Sequence, residues 1–347
     1  MLAIVYHGPG KKKWEEVPRP TILEDGDAIV RVDAVTICGT DLHILKGDVP
    51  TVVDGRVLGH EAVGTIEEVG PGVKGLKPGD RVLVSCISAC GRCRFCREGR
   101  YGLCAGGGGW ILGHTIDGTQ AEYVRVPFAD TSTYPIPSGV TDESVLMLAD
   151  IGPTGYEVGV LNGGVEPGDV VAVVGAGPIG LSAMLTSQLY SPAHIVAIDV
   201  ADARLEAARS FGATITINNS RENAAAMVKE LTGELGVDVA IEAVGIPETF
   251  ELCAALIRPG GRVANVGVHG KPATLHLEDL WIKGVTIKTG LVDTYSTAIL
   301  LKLVASGQLR IGELITHHFS LNQFIEAYDI FARAADTGAL KVVLTRS

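Results

Sequence analysis

The stretch VVAVVGAGPIG, residues 170–180, joins a continuous run of apolar residues to a glycine-rich turn. Such a run is typical of a strand that is buried on both faces of a parallel sheet, and the residues after it, PIGLSAMLTSQLY, place apolar side chains at helical spacing. Strand and helix patterns then alternate to about residue 244, in HIVAIDV, ARLEAARSFG, TITIN, RENAAAMVKELTG and VDVAIEAV. This alternation predicts an α/β fold with a doubly wound parallel sheet.

The glycine-rich turn has the spacing of a dinucleotide-binding site. Gly175, Gly177 and Gly180 form GxGxxG between the predicted strand and helix, where backbone amides can approach a pyrophosphate. Glycine also serves close packing alone, so the motif gains weight from Asp199, which ends the next strand 19 residues beyond Gly180. A carboxylate there accepts hydrogen bonds from the adenosine ribose and repels a 2′-phosphate, which predicts NAD rather than NADP. Two alternatives stay open: Asp199 only caps the next helix, and Arg204 either covers the adenine or ribose or is simply solvated.

Residues 1 to about 150 have a different pattern. Short runs rich in Val and Ile, namely AIVRVDAVTI, EAVGTIEEVG, DRVLVSC and AEYVRVP, are separated by Gly, Pro and Asp, which predicts a small irregular β-barrel. At the other end, TYSTAILLKLVASGQ and LNQFIEAYDIFARAAD have the spacing of amphipathic helices, and ALKVVLT that of a strand. We expect this last part to pack on the first domain. The predicted division is therefore 1–152, 153–294 and 295–347.

Four cysteines predict a structural zinc site. Cys90, Cys93, Cys96 and Cys104 stand in CGRCRFCREGRYGLC, and their spacing lets one loop place four thiolates around one ion. Thiolates select zinc, and four protein ligands leave no position for a substrate. A chance cluster or two disulfides are the alternatives, but disulfides need an oxidising compartment, and the sequence opens with a strand-like run rather than a secretory leader. The glycines at 106–109, directly after the cysteines, predict a mobile loop.

Two further motifs predict a reactive metal site. CGTDLH, residues 38–43, and GHEAVG, residues 59–64, place Cys38 and His60 at strand or turn ends. A thiolate and an imidazole are two of the three protein ligands that an open catalytic zinc needs, and the third must come from elsewhere. Taken singly, a cysteine or a histidine is more often a packing residue. The hypothesis depends on their occurrence together with the dinucleotide fold and the four cysteines.

The composition limits the partners. The formal net charge is -11 and the sequence pI is about 5.3, which repels nucleic acid and acidic membrane surfaces. No window of 18 consecutive apolar residues occurs, so we expect no membrane span. We expect a cytoplasmic protein that acts on a small molecule.

These motifs together are similar to a known family. CGTDLH, GHEAVGTIEEVGPGV, the four-cysteine loop, GAGPIG and the following Asp199 resemble the zinc-dependent alcohol dehydrogenases of the medium-chain dehydrogenase/reductase superfamily, over essentially the whole chain. The resemblance implies a GroES-like β-barrel catalytic domain and a Rossmann nucleotide-binding domain. It also implies an NAD-dependent enzyme with two zinc ions per chain, one catalytic and one structural.

The resemblance implies roles for single residues. The third zinc ligand is Asp150, four residues before Thr154; many animal and plant members have cysteine there, and microbial secondary-alcohol and formaldehyde-type branches are more similar. Glu61 is implied as an alternate ligand, and Asp41 as the carboxylate that orients the ring of His60. Thr40 and His43 are implied as a proton relay to solvent. The cofactor contacts implied besides the glycines, Asp199 and Arg204 are Thr154, Pro178, Ile179, Val244, Val266 and Val268.

The substrate is less well determined by the sequence. Trp110 resembles a pocket wall of microbial secondary-alcohol dehydrogenases, although a lone tryptophan is as often a packing residue. Gly152 stands where relatives have a larger apolar residue, so we expect added volume near the metal. Gly284 stands inside a strand-like run, LWIKGVTIKTG, without an evident reason.

The expected reaction is hydride transfer between NAD(H) and a secondary alcohol or ketone, with zinc as Lewis acid. Threonine, polyol and formaldehyde-type dehydrogenases of the same superfamily are the alternatives, as is a non-catalytic recruited structural protein. The resemblance also implies a homo-oligomer that assembles through the edge strand GVTIKTGLV, with a tetramer favoured over a dimer.

Overall fold

The computed structural model describes residues 1–346. The chain divides into two compact units. One unit comprises Met1–Pro153 together with the chain from Val292 on, and the other comprises Thr154–Leu291. The first unit is thus built from both ends of the sequence.

The secondary structure elements have the following bounds. The strands are β1 (Leu2–Tyr6), β2 (Lys12–Glu16), β3 (Ala28–Thr36), β4 (Ala62–Val69), β5 (Arg81–Val84), β6 (Tyr123–Val126), β7 (Thr133–Pro135), β8 (Val170–Val174), β9 (His194–Asp199), β10 (Ile215–Asn218), β11 (Val237–Glu242), β12 (Ile257–Asn265), β13 (Thr286–Thr289), β14 (Ile315–Ser320) and β15 (Lys341–Thr345). The α-helices are α1 (Gly39–Lys46), α2 (Arg94–Arg97), α3 (Ala129–Ser132), α4 (Asp142–Leu146), α5 (Ile151–Pro153), α6 (Pro178–Ser187), α7 (Asp202–Ser210), α8 (Ala224–Leu231), α9 (Pro247–Leu256), α10 (Leu277–Leu280), α11 (Thr297–Ala305), α12 (Phe324–Ala332) and α13 (Ala334–Thr337). A π-helix spans Thr154–Leu161, and short 3₁₀ turns occur at Tyr101–Leu103, Met147–Ala149, Gln188–Tyr190, Ile311–Leu314 and Leu321–Gln323.

The unit Thr154–Leu291 contains a parallel sheet with the strand order β10-β9-β8-β11-β12-β13. Val171, Ala172 and Val173 in β8 are all fully buried. Successive strand residues point to opposite faces, so both faces of β8 are covered, as its unbroken apolar run predicts. The predicted doubly wound sheet is confirmed, and the strand order reverses between β8 and β11, next to the glycine-rich turn.

The three glycines of that turn have separate physical reasons. Gly175 has φ +102°, and a Cβ there would lie 2.6 Å from Val244 Cγ2. A Cβ on Gly180 would lie 1.8 Å from the carbonyl oxygen of Gly175, so only glycine lets α6 pack this closely on β8. A Cβ on Gly177 would meet nothing within 4 Å. Gly175 and Gly180 are therefore required by the fold, whereas Gly177 keeps open space at the start of α6.

The other unit contains a sheet with the order β14-β15-β3-β4-β5-β7, in which β6 also pairs with β3. The pairs are antiparallel except for β14 with β15, which run parallel. The returning strand β15 pairs with β3 in the register Leu344↔Val35. Phe324 and Tyr328 of α12 are buried in the same core as Val35 and Leu344. The last part of the chain therefore packs on the first, because its apolar strand and helix complete that core.

One local prediction is wrong. Gly284 does not lie in a strand but in the turn between α10 and β13, with φ +63°. This left-handed conformation favours glycine, which explains why glycine stands at this position.

Among the described residues, every helix is too short or too polar to cross a bilayer.

Candidate active site

The four cysteines of residues 90–104 come together. One ligand atom from each lies within 4.8 Å of the others. The Sγ atoms of Cys90 and Cys96 are 3.9 Å apart, whereas neighbouring sulfurs around a tetrahedral zinc lie about 3.8 Å apart when Zn–S is about 2.3 Å. All four are thiols rather than disulfides. The donor set and its spacing therefore fit a closed structural zinc site.

Backbone amides prepare these sulfurs to carry charge. The amides of Cys90, Cys93 and Cys96 donate to the sulfurs of Cys104, Cys90 and Cys93 at 3.4, 3.4 and 3.5 Å. The amide of Cys96 lowers the pKa of the Cys93 thiol to about 6, since a hydrogen bond favours the thiolate. Burial and the neighbouring cysteines raise the pKa of the Cys96 thiol to about 12, so the charge at neutral pH lies on Cys93 until a cation binds.

The glycines at 106–109, predicted as a mobile loop, run from two exposed residues, Gly106 and Gly107, to the buried Gly109. The amide of Ser88 donates to the carbonyl of Gly109 at 2.9 Å, and the amide of Gly109 donates back to Ser88 at 2.6 Å. A Cβ on Gly106 would lie 2.5 Å from Cys90 Sγ, and one on Gly108 would lie 3.0 Å from Cys104 Sγ. Side chains at Gly106 and Gly108 would therefore collide with cysteine sulfurs, whereas Gly107 and Gly109 have the positive φ values of 91° and 94° that favour glycine.

A second donor cluster lies inside the first unit. Cys38, His60, Glu61 and Asp150 each offer a ligand atom within 4.8 Å of the others. Cys38 is the residue directly before α1, and its amide donates to Asp41 at 2.8 Å, which fixes the start of that helix. His60 and Glu61 precede β4, and Asp150 follows a 3₁₀ turn. The fold thus gathers donors that are up to 112 residues apart in sequence.

The spacing of three of these donors fits zinc. Cys38 Sγ lies 3.5 Å from Asp150 Oδ2, and His60 Nε2 lies 3.3 Å from the same oxygen. Ligand atoms on a tetrahedral zinc with one sulfur, one nitrogen and one oxygen lie about 3.3–3.5 Å apart. Asp150 is 13% exposed, whereas His60 is 3% exposed, so the set is reached from the side of Asp150. The spacing of Cys38, His60 and Asp150 is therefore that of three ligands around one ion, with Glu61 as a fourth donor within 4.8 Å.

The charges and pKa values of this cluster also favour a bound cation. Burial raises the pKa of the Cys38 thiol, and the carboxylates of Asp150 and Glu61 raise it further. Burial disfavours a charged His60, yet Asp150 and Cys38 raise the pKa of its imidazole well above the usual value overall. Two carboxylates and a thiol in a dry interior repel one another when ionised. A divalent cation removes that repulsion, so the donor chemistry fits zinc.

His60 and Asp41 face each other with unsatisfied atoms. His60 Nδ1 and Asp41 Oδ1 are buried without a hydrogen-bond partner, and they lie 3.9 Å apart. With Nε2 toward Asp150, a proton on Nδ1 points to this oxygen. The role of Asp41 in orienting the ring of His60 stays a prediction, which this placement supports.

Glu61 and Lys341 form a fully buried ion pair. Lys341 Nζ lies 2.9 and 3.2 Å from the two oxygens of Glu61 and donates to the carbonyl of Ile37 at 3.0 Å. Both side chains are 1% exposed. Glu61 thus has a partner besides any metal, and we keep its role as alternate ligand as a prediction. Sequence reasoning missed Lys341, although one charge in the apolar strand ALKVVLT was a signal.

The residues of the predicted relay lie on one helix. Thr40 Oγ1 is 3.7 Å from Cys38 Sγ, at the donor cluster. His43, one turn along α1, has a 46% exposed side chain and contacts Asp48 through Nδ1 at 2.8 Å. Residues three apart on a helix share a face, so the two lie in order from the cluster toward solvent.

The surroundings of Trp110 and Gly152, the two residues predicted to shape the substrate pocket, agree with the prediction to different degrees. The ring of Trp110 lies edge-on to His60 with centroids 6.3 Å apart and stacks on His114 at 4.3 Å. Trp110 is thus beside the donor cluster. A Cβ on Gly152 would lie 2.7 Å from Leu148 Cδ2 and 2.9 Å from Ile311 Cδ1. The expected open volume at Gly152 is therefore wrong, because these two side chains fill it.

The nucleotide-binding residues lie at the carboxyl ends of the parallel strands. Asp199 ends β9 and accepts hydrogen bonds from the amides of Ala176, Val200 and Ala201 at 2.8, 2.7 and 2.9 Å. Its carboxylate therefore fixes the glycine turn. The structural alternative considered from the sequence, a cap of the next helix, did not include this contact with the turn. Arg204 is half-exposed, with Nη1 3.9 Å from Asp199 Oδ2. One lone pair of Oδ2 is left for a ribose hydroxyl.

The remaining predicted cofactor contacts are arranged around the same turn. Val244 and Val268 follow β11 and β12 and are 47% and 73% exposed. The amide of Val244 donates to the Glu242 carboxylate at 2.9 Å, and that of Val266 to the Glu242 carbonyl at 2.8 Å. The others are half-buried, at the first residues of α6 and of the π-helix: Pro178, Ile179 and Thr154. Apolar residues exposed at this sheet edge, with Gly177 open, fit a bound dinucleotide.

Known proteins match this chain over its full length. The family profile described as "Alcohol dehydrogenase GroES-like domain" matches residues 24–138, and that described as "Zinc-binding dehydrogenase" matches residues 178–306. The solved apo form of zinc dependent alcohol dehydrogenase 2 from Streptococcus pneumonia is 50% identical, with a TM-score of 0.96, 100% of this chain and 99% of that chain covered. An alcohol dehydrogenase of Cupriavidus necator is 39% identical over 99% of this chain and 98% of its own length. An L-threonine 3-dehydrogenase of Shewanella baltica is 33% identical over 90% of this chain and 91% of its own.

The buried ion pair gives a stability prediction. Lys341→Met leaves the Glu61 carboxylate buried without its partner, and we expect the free energy of unfolding to fall by about 3–5 kcal/mol. Adding Glu61→Gln removes the uncompensated charge and should recover much of that loss. Lys302→Met, at an exposed position of α11, is the control and should change stability by less than about 0.5 kcal/mol. Urea unfolding measures all four proteins; a double variant no more stable than Lys341→Met alone would contradict the prediction.

Proposed function

Since this chain belongs to the zinc-dependent alcohol dehydrogenases of the medium-chain dehydrogenase/reductase superfamily, we propose that it interconverts secondary alcohols and ketones with NAD(H) as cofactor. The observation that carries the proposal is the trio of Cys38, His60 and Asp150, whose donor atoms lie 3.3–3.5 Å apart around Asp150 Oδ2. A carboxylate as third ligand resembles the microbial secondary-alcohol and formaldehyde-type branches, and of these two we propose the first.

Separate groups of residues would bind the two zinc ions and orient the catalytic one's ligands. Cys38, His60 and Asp150 would hold the catalytic zinc, and Cys90, Cys93, Cys96 and Cys104 the structural zinc. When bound, the catalytic zinc supplies a Lewis acid that polarises the reacting oxygen. Asp41, whose Oδ1 lies 3.9 Å from His60 Nδ1, would orient the ring of His60, and Trp110 lies edge-on to that ring as one wall of the site.

A proton must leave when an alcohol is oxidised. Thr40 lies at the cluster and can pass a proton through its hydroxyl, which both accepts and donates. His43 reaches solvent and is paired with Asp48, so its imidazole can exchange that proton with water. The reverse path delivers a proton to a ketone oxygen during reduction.

NAD is proposed over NADP because of Asp199. Its carboxylate leaves one acceptor position for a ribose hydroxyl, and its charge opposes a 2′-phosphate. NAD supplies the nicotinamide that accepts hydride.

Threonine, polyol and formaldehyde-type dehydrogenation remain alternatives within the same family. Each would use the same zinc ligands and relay, so only the lining around Trp110 separates them. A panel of primary, secondary and aryl alcohols, threonine, a polyol and formaldehyde with glutathione, each with NAD, distinguishes these substrates. The highest kcat/KM is expected for a secondary alcohol.

We further place the protein in the cytoplasm. Both proposed zinc sites need reduced cysteines, and neighbouring thiols such as Cys90 and Cys96 would be oxidised in a secretory compartment. This placement is the one in which the thiolates stay free to bind metal.

The metal content tests the enzyme proposal. We expect two zinc ions per chain, of which mild chelation removes one and abolishes alcohol oxidation without unfolding the protein. Cys38→Ser should remove the same ion and lower kcat/KM by about a thousandfold or more, because a Lewis acid contributes several kcal/mol. Cys253→Ala, at a buried thiol of the other unit, is the control and should keep both ions. Full activity of the one-zinc protein would exclude the proposal.

Cofactor choice tests Asp199 separately. Asp199→Asn keeps the acceptor oxygen but removes the charge that opposes a 2′-phosphate, so the ratio of kcat/KM for NADP to that for NAD should rise about tenfold or more. Glu206→Gln removes one charge from an exposed position of α7 and should leave the ratio unchanged. An equal ratio in all three proteins would show that Asp199 serves only to fix the glycine turn.

We propose a homo-oligomer, a tetramer in preference to a dimer, with β13 at a subunit contact. β13 is the edge strand of its sheet, and the adjacent Trp281 and Ile282 are 75% and 74% exposed. An open edge beside exposed apolar side chains is typical of a contact surface. Sedimentation should give about four times the chain mass of 36.3 kDa, and Trp281→Glu should lower it. A monomeric wild-type protein would refute the assembly.

A further inference from the structure

We propose that Gln120 and Tyr328 are positioning residues of the catalytic zinc site, because they form a buried series of hydrogen bonds that holds Asp41, whose other carboxylate oxygen faces His60 Nδ1. The inference rests on the proposed function, since these hydrogen bonds would act on the zinc that Cys38, His60 and Asp150 are proposed to bind.

The hydrogen bonds run without a break from Tyr328 through Gln120 to Asp41. The Tyr328 hydroxyl donates to Gln120 Oε1 at 2.7 Å, and Gln120 Nε2 donates to Asp41 Oδ2 at 2.9 Å. The other Asp41 oxygen is the atom that faces His60 Nδ1 at 3.9 Å. All four side chains are buried, with exposures of 1% for Tyr328, 0% for Gln120, 1% for Asp41 and 3% for His60. Water therefore does not compete for these groups.

The direction of the chain is fixed by chemistry. An ionised carboxylate only accepts, so the nitrogen of the Gln120 amide must face Asp41 and its oxygen must face Tyr328. The Tyr328 hydroxyl then has to donate. The Cys38 amide donates to the same oxygen, Asp41 Oδ2, at 2.8 Å. Both donors are thus spent on Oδ2, and Oδ1 is left with His60 as its nearest polar partner.

This division of donors has a consequence for the metal site. A buried carboxylate that is held by one oxygen keeps a defined orientation, and the second oxygen of Asp41 then stays turned toward the imidazole, 3.9 Å from Nδ1. Accepting the Nδ1 proton leaves Nε2, which faces Asp150, as the nitrogen that binds metal. Gln120 and Tyr328 therefore act on the metal without touching it.

The backbone is built to bring Gln120 to this place. Its amide donates to the Leu58 carbonyl at 2.9 Å, and its carbonyl accepts from the Ile4 amide at 2.8 Å. Gly59, next to His60, has φ +93°, and a Cβ there would lie 2.4 Å from Gln120 Cγ. The glycine before the histidine is thus required by the close passage of Gln120 as well as by the turn.

Tyr328 connects the site to the far end of the sequence. It lies on α12, 208 residues after Gln120, in the part of the chain that returns to the first unit. Its ring is packed in the core with Phe324 and Leu344. The C-terminal helix is therefore a support of the metal site, beyond its contribution to the core.

The test measures metal binding rather than turnover. Tyr328→Phe removes only the hydroxyl, and Gln120→Met removes the amide at similar volume. Competition with a chelator, on protein that keeps its structural zinc, should show about 10–100-fold weaker binding of the exchangeable zinc for Gln120→Met and a loss of about twofold to tenfold for Tyr328→Phe. The visible spectrum of cobalt at this site should shift in both, because the orientation of the imidazole changes.

A double variant and a matched control separate positioning from general loss of stability. If Tyr328 acts through Gln120, the double variant should bind metal as Gln120→Met does. Tyr6→Phe also removes a hydroxyl from a buried tyrosine of the same core, and it should leave zinc affinity and cobalt spectrum unchanged. Urea unfolding of the zinc-free proteins measures the purely structural cost of each change.

The outcomes are distinct. Wild-type affinity and spectrum in both single variants, in a protein that binds the second zinc, would overturn this inference and leave the proposed function intact. Additive losses in the double variant, or an equal loss in Tyr6→Phe, would also overturn it. Failure of the wild-type protein itself to bind a second metal would instead refute the proposed function.

Discussion

Electrostatic repulsion among the buried side chains of the candidate metal ligands is the constraint that the structure of the first unit has to satisfy. Cys38, Glu61 and Asp150 bring potential negative charge into a space where water cannot screen it. Lys341 offsets the charge of Glu61 through a short ion pair, which leaves the thiol, the imidazole of His60 and Asp150 as the unbalanced part. A divalent cation is the chemical complement of that remainder, and the donor spacing agrees with zinc.

The fold meets this constraint by close approach of backbone segments. Glycines allow it at both donor clusters: Gly59 lets Gln120 pass beside His60, and Gly106 and Gly108 let the backbone approach the cysteine sulfurs closely. The same device operates in the nucleotide-binding unit, where Gly180 lets α6 pack on the turn after β8. In each case the absent side chain is what lets polar atoms be placed where a ligand needs them.

Support for the metal site is spread along the chain. Lys341 on β15 and Tyr328 on α12 both come from the part of the chain after the nucleotide-binding unit, and both end in contacts with residues of the GHE and CGTD motifs or their partners. The part of the chain after the second unit therefore contributes side chains to the site in the first unit. Buried polar contacts of Lys341 and Tyr328 thus join the two ends of the sequence at the donor cluster.

The sequence by itself determined the elements whose signal is local. The alternation after residue 170 predicted the parallel sheet, because a strand buried on both faces and an amphipathic helix have different periods. The cysteine spacing and the GxGxxG turn were likewise visible, since their ligands or amides are neighbours along the chain. Motif resemblance added Asp150, which lies 112 residues from Cys38 and which spacing could not have supplied.

Only the tertiary structure decided which distant side chains meet. Gln120 and Lys341 are single polar residues in apolar surroundings, and their partners Asp41 and Glu61 are 79 and 280 residues away. It also decided that Leu148 and Ile311 fill the space at Gly152, and that Gly284 turns rather than extends. Contacts of this kind depend on how strands and helices pack in three dimensions, and no local pattern of residues encodes them.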